Sequence, residues 1–402
     1  MRALCLGDLH AGAHLGYGRT PQDRLDDQEL TLNRCVDLAL EHDADAVFLL
    51  GDLWDARKPS PSELMAVARP LRRLNEESNA YVLGIAGNHC VESADKAIAL
   101  ELFSDILEVH RTPQVWDGGQ LGCAIVTLPW APGVNRLVAA RDGGDRDETH
   151  DLGAALLLKA AADLRAQVDG PAALLLHWSI SGASTPTGIL TDEFSEVVVP
   201  LEGLEQLGFD AVIAGHIHKA QAFEETVGWT GPFMPPAVNS PFLYVGSPAP
   251  VDFSEGESAH GCWLLDVGDG PTAATFLPIE SRPFITLDLE TDEAYAVTTG
   301  DSDFSARREY AGAVIRVRYR ALEEEARWID NAAITAALYD AGAHKVWQIE
   351  ARVERASRAR VEVAEDLTPL AAYDLWSAAN DVEAALATAA RARLAEHLEA
   401  VA

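Results

Sequence analysis

Five apolar runs in this chain each stop at a carboxylate, amide or imidazole side chain, and that regularity restricts the fold more than any bulk property does. Leu4-Cys5-Leu6 runs into Gly7-Asp8, with His10 two residues on. Ala46–Leu50 runs into Gly51-Asp52. Tyr81–Ala86 runs into Gly87-Asn88-His89. Ala172–Leu176 stops at His177, and Ala211–Ala214 stops at Gly215-His216-Ile217-His218. Runs of this length, rich in Val, Ile and Leu, suit strands covered on both faces. Helical patterns separate the first three: Asp26–His42, with Leu30, Val36 and Leu40 on one side, and Ser62–Glu77. Residues 1–280 therefore read as alternating strand and helix, an α/β architecture. In such sheets ligands bind beyond the carboxyl ends of the strands. The five polar termini are expected to converge on one site.

The side chains at those termini have a shared chemistry. Asp8, Asp52, Asn88, His10, His177, His216 and His218 mix carboxylate, amide and imidazole donors, a set that suits Mn²⁺, Fe²⁺ or Zn²⁺ better than Ca²⁺. Seven such ligands exceed the need of one ion, so two ions sharing a carboxylate is the natural count. Glycines beside them allow the sharp turns that aim the groups. A lone Asp-x-His or Gly-Asn-His is common, and Asn mostly makes turns. Five elements in order, each at a strand end, are not explained that way. The remaining histidines (His14, His42, His110, His150, His260, His344 and His397) lack this context and default to surface or packing roles.

Composition adds limits. The five cysteines are scattered and form no CxxC pair, which argues against disulfides and a structural zinc and fits a reducing cytoplasm. No stretch is long and apolar enough to span a membrane, and the N-terminal apolar run is too short for a signal peptide. The net charge of −32 opposes binding to a phosphate backbone by the chain as a whole, although bound cations neutralise phosphate locally. Pro132–Asp151 and Gly228–Pro241 read as long loops. Beyond residue 280 the pattern changes to alternating strands (285–289, 314–319 and 346–350) around a helix at Asn331–Ala341, then an Ala-rich helical tail with Leu370, Leu375, Leu386, Leu394 and Leu398 as its apolar positions.

The ordered ligand set resembles the calcineurin-like metallophosphoesterases. The finer likeness is to the SbcD branch of DNA-repair nucleases. It rests on Gly51-Asp52-Leu53-Trp54-Asp55 running to Lys58-Pro59-Ser60-Pro61-Ser62, on His177-Trp178-Ser179-Ile180-Ser181-Gly182-Ala183-Ser184, on Gly215–Gln221, and on Tyr244-Val245-Gly246-Ser247-Pro248-Ala249-Pro250-Val251-Asp252-Phe253-Ser254. It covers residues 1–280 closely and the rest through order and length. The resemblance implies a two-sheet β-sandwich flanked by helices (1–280), a small α+β capping, DNA-binding domain (281–364) and a C-terminal helical segment (365–402) that docks on a partner.

Carried over position by position, the resemblance puts Asp8, His10, Asp52 and His218 on one metal. It puts Asp52, Asn88, His177 and His216 on the other, with Asp52 bridging and Mn²⁺ as the expected ion. Water activated between the metals would attack phosphorus in line. His89 would protonate the leaving oxygen, and Asp55 would orient His89. The implied activity is exonuclease on duplex ends and endonuclease on single strands or hairpins. The implied partners are DNA, an SbcC-like coiled-coil ATPase and a second copy of the chain. Arg57, Lys58 and Lys219 flank the metal motifs and are candidate phosphate contacts. The basic run Arg352–Arg360 is a candidate for DNA or a partner, or a solvated face. One position departs from the pattern. The family usually continues Gly-Asn-His with Asp, whereas Cys90 stands here, and a thiol is a poor substitute for a carboxylate acceptor. Two competing readings are a phosphodiesterase of small molecules, which would need the ligands but not the Gly-Ser-Pro segment, and a non-catalytic scaffold for DNA ends or an ATPase.

Overall fold

The computed structural model describes residues 1–91, 96–117, 121–134, 146–223, 237–239, 242–268, 272–354 and 367–401. Among these, a seven-stranded sheet has the order Ala237–Asn239, Ala273–Pro278, Gly261–Asp266, Arg2–Leu6, Ala46–Leu49, Tyr81–Ile85, Glu108–His110. A six-stranded sheet has the order Gln221–Ala222, Phe242–Tyr244, Ala211–Gly215, Ala172–His177, Ala124–Leu128, Gln114–Trp116. A three-stranded sheet orders Phe284–Leu289, Val314–Leu322 and Lys345–Glu354.

Side chains alternate across each strand, and the alternation builds the layers. Ala3 and Cys5 of the first strand join Ala46, Phe48 and Leu50 in a core shared with Ile125, Ala173, Leu175, Ala211 and Ile213 of the second sheet. Their neighbours along the chain, Leu4, Leu6, Val47 and Leu49, pack instead with Leu32, Cys35, Val36, Val67, Leu71 and Leu74 of two helices. On the far side Val126, Leu174, Leu176 and Val212 meet Ala154, Leu157 and Ala161 of a third helix. The expected two-sheet sandwich with flanking helices is therefore present. Strands covered on both faces have no polar side to show, which explains why they appear in the sequence as unbroken apolar runs.

Several boundaries differ from the sequence reading. The first helix spans Pro21–Glu41, five residues earlier than expected, because the Thr20 hydroxyl caps it by accepting from the Asp23 amide and Pro21 suits the first turn. Thr20→Ala is expected to destabilise the protein by about 1 kcal/mol, seen as a lower urea midpoint with an unchanged slope. Leu30 does not lie on the buried side of this helix. It is half exposed, and the buried face runs through Leu25, Leu32, Cys35, Val36 and Ala39. The stretch expected as a loop at 132–151 ends in a helix, Arg146–Arg165, whose buried Ala154, Leu157 and Ala161 keep helical spacing. The strand Ala237–Asn239 falls inside the loop expected at 228–241 and pairs antiparallel with Ala273–Thr275. The rest of that loop and residues 355–360 of the basic run lie outside the described residues.

The chain divides into two compact units. One holds Met1–Asp288, Asp303–Val317 and Ala332–Ile349, the other Leu289–Ser302, Arg318–Asn331 and Glu350–Ala402. In the second unit the tail forms two helices, Pro369–Ala379 and Ala384–Val401, tied by an Arg391–Asp374 ion pair of 2.7 Å. Leu375 and Leu386 stay exposed on them. No helix among the described residues is long and apolar enough to cross a membrane.

Candidate metal centre

The five strand ends do meet. Parallel pairing of Ala3–Leu6 with Ala46–Leu49 sets the first two side by side. Past the strands, backbone bonds continue the match: the Asp8 amide donates to Gly51 and the His10 amide to Asp52, both at 3.0 Å. The turns are tight enough to place Asp8 (φ 53°), His10 (φ 48°), Asp52 (φ 48°) and His216 (φ 92°) in left-handed backbone. Among residues with a side chain, Asp and His are comparatively tolerant of that region. Gly87 is required by space: a Cβ there would overlap Asp52 Oδ1 and lie 2.8 Å from His177 Cε1.

Asp8, His10 and His218 each offer a ligand atom within 4.8 Å of the others, as do Asp8, Asp52 and His177. Asn88 Oδ1 lies 2.9 Å from His177 Nε2 and 3.0 Å from His216 Nδ1. His177 Nε2 is also 3.2 Å from Asp52 Oδ2. The seven expected ligands thus form one cluster, in which Asp8 belongs both to the group with His10 and His218 and to the group with Asp52 and His177. Asp8, His10, Asp52 and His177 are buried, and the others face a cavity of about 830 Å³.

Four imidazoles share one device: each has an outward nitrogen held by an oxygen. His10 Nδ1 faces Asp55 Oδ1 at 3.3 Å, and His177 Nδ1 faces the Leu50 carbonyl at 2.6 Å. His216 Nε2 faces Glu196 Oε1 and His218 Nδ1 faces Glu255 Oε1, both at 2.7 Å. These oxygens accept, so the ring protons sit on the outward nitrogens and the inward ones turn lone pairs into the cluster. His10 Nε2 is buried without a hydrogen-bond partner. The inward nitrogens of His177 and His216 confront the Asn88 oxygen, as that amide is oriented, and lone pairs facing one another need a cation or a proton between them. Burial opposes a charged His177, yet Asp52 outweighs it and pushes the imidazole up to about 9. Burial likewise opposes charge on His218, and Glu255 pushes it up to about 9. Asp52 itself is driven below the usual carboxylate range, because His177, His10 and His89 together exceed the desolvation that opposes its charge. Divalent cations would displace those protons. The residues present fit two such ions.

His89 stands at the edge, 4.7 Å ring to ring from His10, and lines the cavity with Asp55. Its Nδ1 bonds the Asp55 backbone carbonyl at 2.7 Å, while the Asp55 carboxylate is 3.6 Å away and closer to His10. Cys90 is partly exposed, with Sγ 3.6 Å from Asp52 Oδ1, and burial followed by the Asp52 charge pushes the thiol up. It is a neutral group under these conditions. Arg57 and Lys58 are exposed, Lys219 donates to Ser184 Oγ at 2.9 Å, and none of the three lines the cavity. Of the histidines assigned to packing, His110 and His260 are buried and bonded, to Thr127 and to Ser247 with Glu255. His14 departs from that default by lining the cavity, stacked on Tyr17.

Sequence reasoning missed Glu196 and Glu255. They lie 20 and 37 residues from the histidines they hold, with no spacing to mark them. The one signal was for Glu255, which directly follows the Gly246–Ser254 segment. Trp130, stacked on Trp178 at 4.4 Å and 5.4 Å from the His216 ring, was also missed.

Fold and cluster together have the form of a metal-dependent phosphoester hydrolase, with candidate ligand groups for two ions. The sequence model of the calcineurin-like phosphoesterases matches residues 1–220, and the chain belongs to that family. Solved structures similar to the chain include GAP50, the anchor in the inner membrane complex of Plasmodium, at 11% identity over 69% of this chain and 84% of that one with a TM-score of 0.37. TT1561 of Thermus thermophilus has 16% identity, 66% and 93% coverage and a TM-score of 0.36. A dimetal phosphatase from Danio rerio has 11% identity, 69% and 99% coverage and a TM-score of 0.35.

Proposed function

We propose that the chain is a Mn²⁺-dependent DNA nuclease of the SbcD type, an exonuclease on duplex ends and an endonuclease on single strands or hairpins. It would work as a homodimer with an SbcC-like coiled-coil ATPase, in the cytoplasm. The observation that carries the hydrolase part is the cluster of buried Asp8, His10, Asp52 and His177 with Asn88, His216 and His218, with His89 at its rim. The motif likeness through Gly246-Ser247-Pro248 supports the DNA part. Asp8, His10 and His218 would hold one ion and Asn88, His177 and His216 the other, with Asp52 common to both. When bound, the ions supply Lewis-acid stabilisation of phosphate charge and lower the pKa of water. His89, with Nδ1 engaged by the Asp55 carbonyl, keeps Nε2 as the nitrogen that can exchange a proton with the leaving oxygen. The Asp55 carboxylate, 3.6 Å from the same Nδ1, would help to orient the ring.

One observation favours the small-diester alternative. The cavity wall carries Asp55, Glu193, Glu196, Asp252 and Glu255, and among the described lining residues there is no Lys or Arg. A long polyanion meets repulsion there that a small substrate largely avoids, unless a partner adds positive charge. The test is cleavage of end-labelled duplex and hairpin DNA with Mn²⁺, alongside bis-p-nitrophenyl phosphate. His89→Ala is expected to keep its ions and lose about 10²–10⁴-fold in DNA cleavage, whereas Asp8→Ala loses ions and activity together. Hydrolysis of the small diester alone, unchanged when an ATPase partner is supplied, would replace the nuclease reading by the alternative.

A further inference from the structure

We infer that Glu255 and Glu196 are positioning residues that set the affinity of the two ions separately, one carboxylate for each. The inference rests on the two-ion reading above and deepens it. The two acids sit in matching arrangements on different elements. Glu255 is buried; its Oε1 takes the His218 ring proton, and its Oε2 accepts from the Ser247 hydroxyl at 2.8 Å and the Val251 amide at 3.0 Å. The Ser247 amide in turn donates to the His218 carbonyl at 2.9 Å, so ring and backbone of His218 are held by one short segment. Glu196 takes the His216 ring proton while accepting from the Ser179 hydroxyl at 2.5 Å.

Each acid fixes which nitrogen of its histidine is protonated and therefore which one turns inward. A carboxylate in that place also makes the inward lone pair more basic, and loss of such a partner typically weakens a metal site about 10–100-fold. The division follows from the grouping of ligands. His218 clusters with Asp8 and His10, and His216 with Asn88 and His177. Both oxygens of Glu255 are engaged by donors, so a glutamine there must aim an NH₂ at a donor or abandon the ring. Glu196 is a quarter exposed, and the change there is milder.

The experiment is calorimetric titration of Mn²⁺ into the metal-free full-length chain. Glu255→Gln should weaken one of two binding events about 10–100-fold and leave the other at its wild-type constant. Glu196→Gln should weaken the other event, by less. Combined with His218→Ala, Glu255→Gln should add nothing further, and with His216→Ala its effect should add in full. Melting temperatures measured in chelator separate this from misfolding, since Glu255→Asp should melt like Glu255→Gln yet recover part of the affinity. Wild-type isotherms in both variants, or equal weakening of both events by either change, would overturn the inference and leave the two-ion centre standing. A wild-type chain that takes up no Mn²⁺ would remove the centre and the inference together.

Discussion

Asp52→Asn should leave a folded protein that has lost both its ions and at least about 10³-fold of its phosphodiesterase rate, equivalent to roughly 4 kcal/mol of barrier. The residue is 2% exposed and uses both oxygens. Oδ2 lies 3.2 Å from His177, while Oδ1 accepts the His89 amide at 2.9 Å and faces the Cys90 thiol. Asparagine keeps the shape and removes the charge that balances the surrounding imidazoles. The amide also presents an NH₂ to a partner set that already donates. A carboxylate common to two ions is lost to both at once, so the effect should exceed that of any single histidine. Metal content after desalting and initial rates on a diester check it. A variant that retains two ions and the wild-type rate would show that Asp52 is not the shared ligand.

A methyl group at position 87 is expected to be nearly as damaging without replacing any candidate ligand: in Gly87→Ala the new carbon would overlap Asp52 Oδ1, lie 2.6 Å from its Cγ and press on His177. Neither neighbour can swing away, because both are fully enclosed. The strain should cost about 1–3 kcal/mol of stability. Displacement of two ligands by tenths of an ångström should cost about 10²-fold or more in rate. Urea unfolding and diester kinetics read the two effects independently. Gly16→Ala, where nothing lies within 4 Å of the added carbon, is the control and should match wild type in both.

The centre was legible in the sequence because of how it is built. A strand covered on both faces tolerates no polar residue, so the Asp, Asn or His that ends it stands out against Leu, Val and Ile. Five such endings in order picked out the candidate ligands, and parallel pairing of the strands that carry them brings their ends together. The partners that hold the histidines were not legible for the opposite reason. Glu196 and Glu255 sit in segments where glutamate is ordinary, and only the folded chain brings them to 2.7 Å from His216 and His218. Leu30 was misplaced because three apolar residues under-determine a helical face, and the buried set Leu25, Leu32, Val36 and Ala39 needed the sheet beneath to define it. The start of that helix was available in Thr20-Pro21, a cap followed by a residue preorganised for the first turn.

Four candidate ligands, Asp8, His10, Asp52 and His216, occupy left-handed backbone, a conformation that costs a residue with a side chain about 1–3 kcal/mol. Glycine would relax the chain at each of these positions, and asparagine fits the first three turns well. A laboratory selection that rewards heat resistance alone would act against this strained backbone, opposed at Asp8 and Asp52 by the amide hydrogen bonds their carboxylates accept from His216 and His89. A stabilising substitution at one of these four positions, paired with a silent assay, is the signature to look for when variants of this chain are sorted by selection pressure.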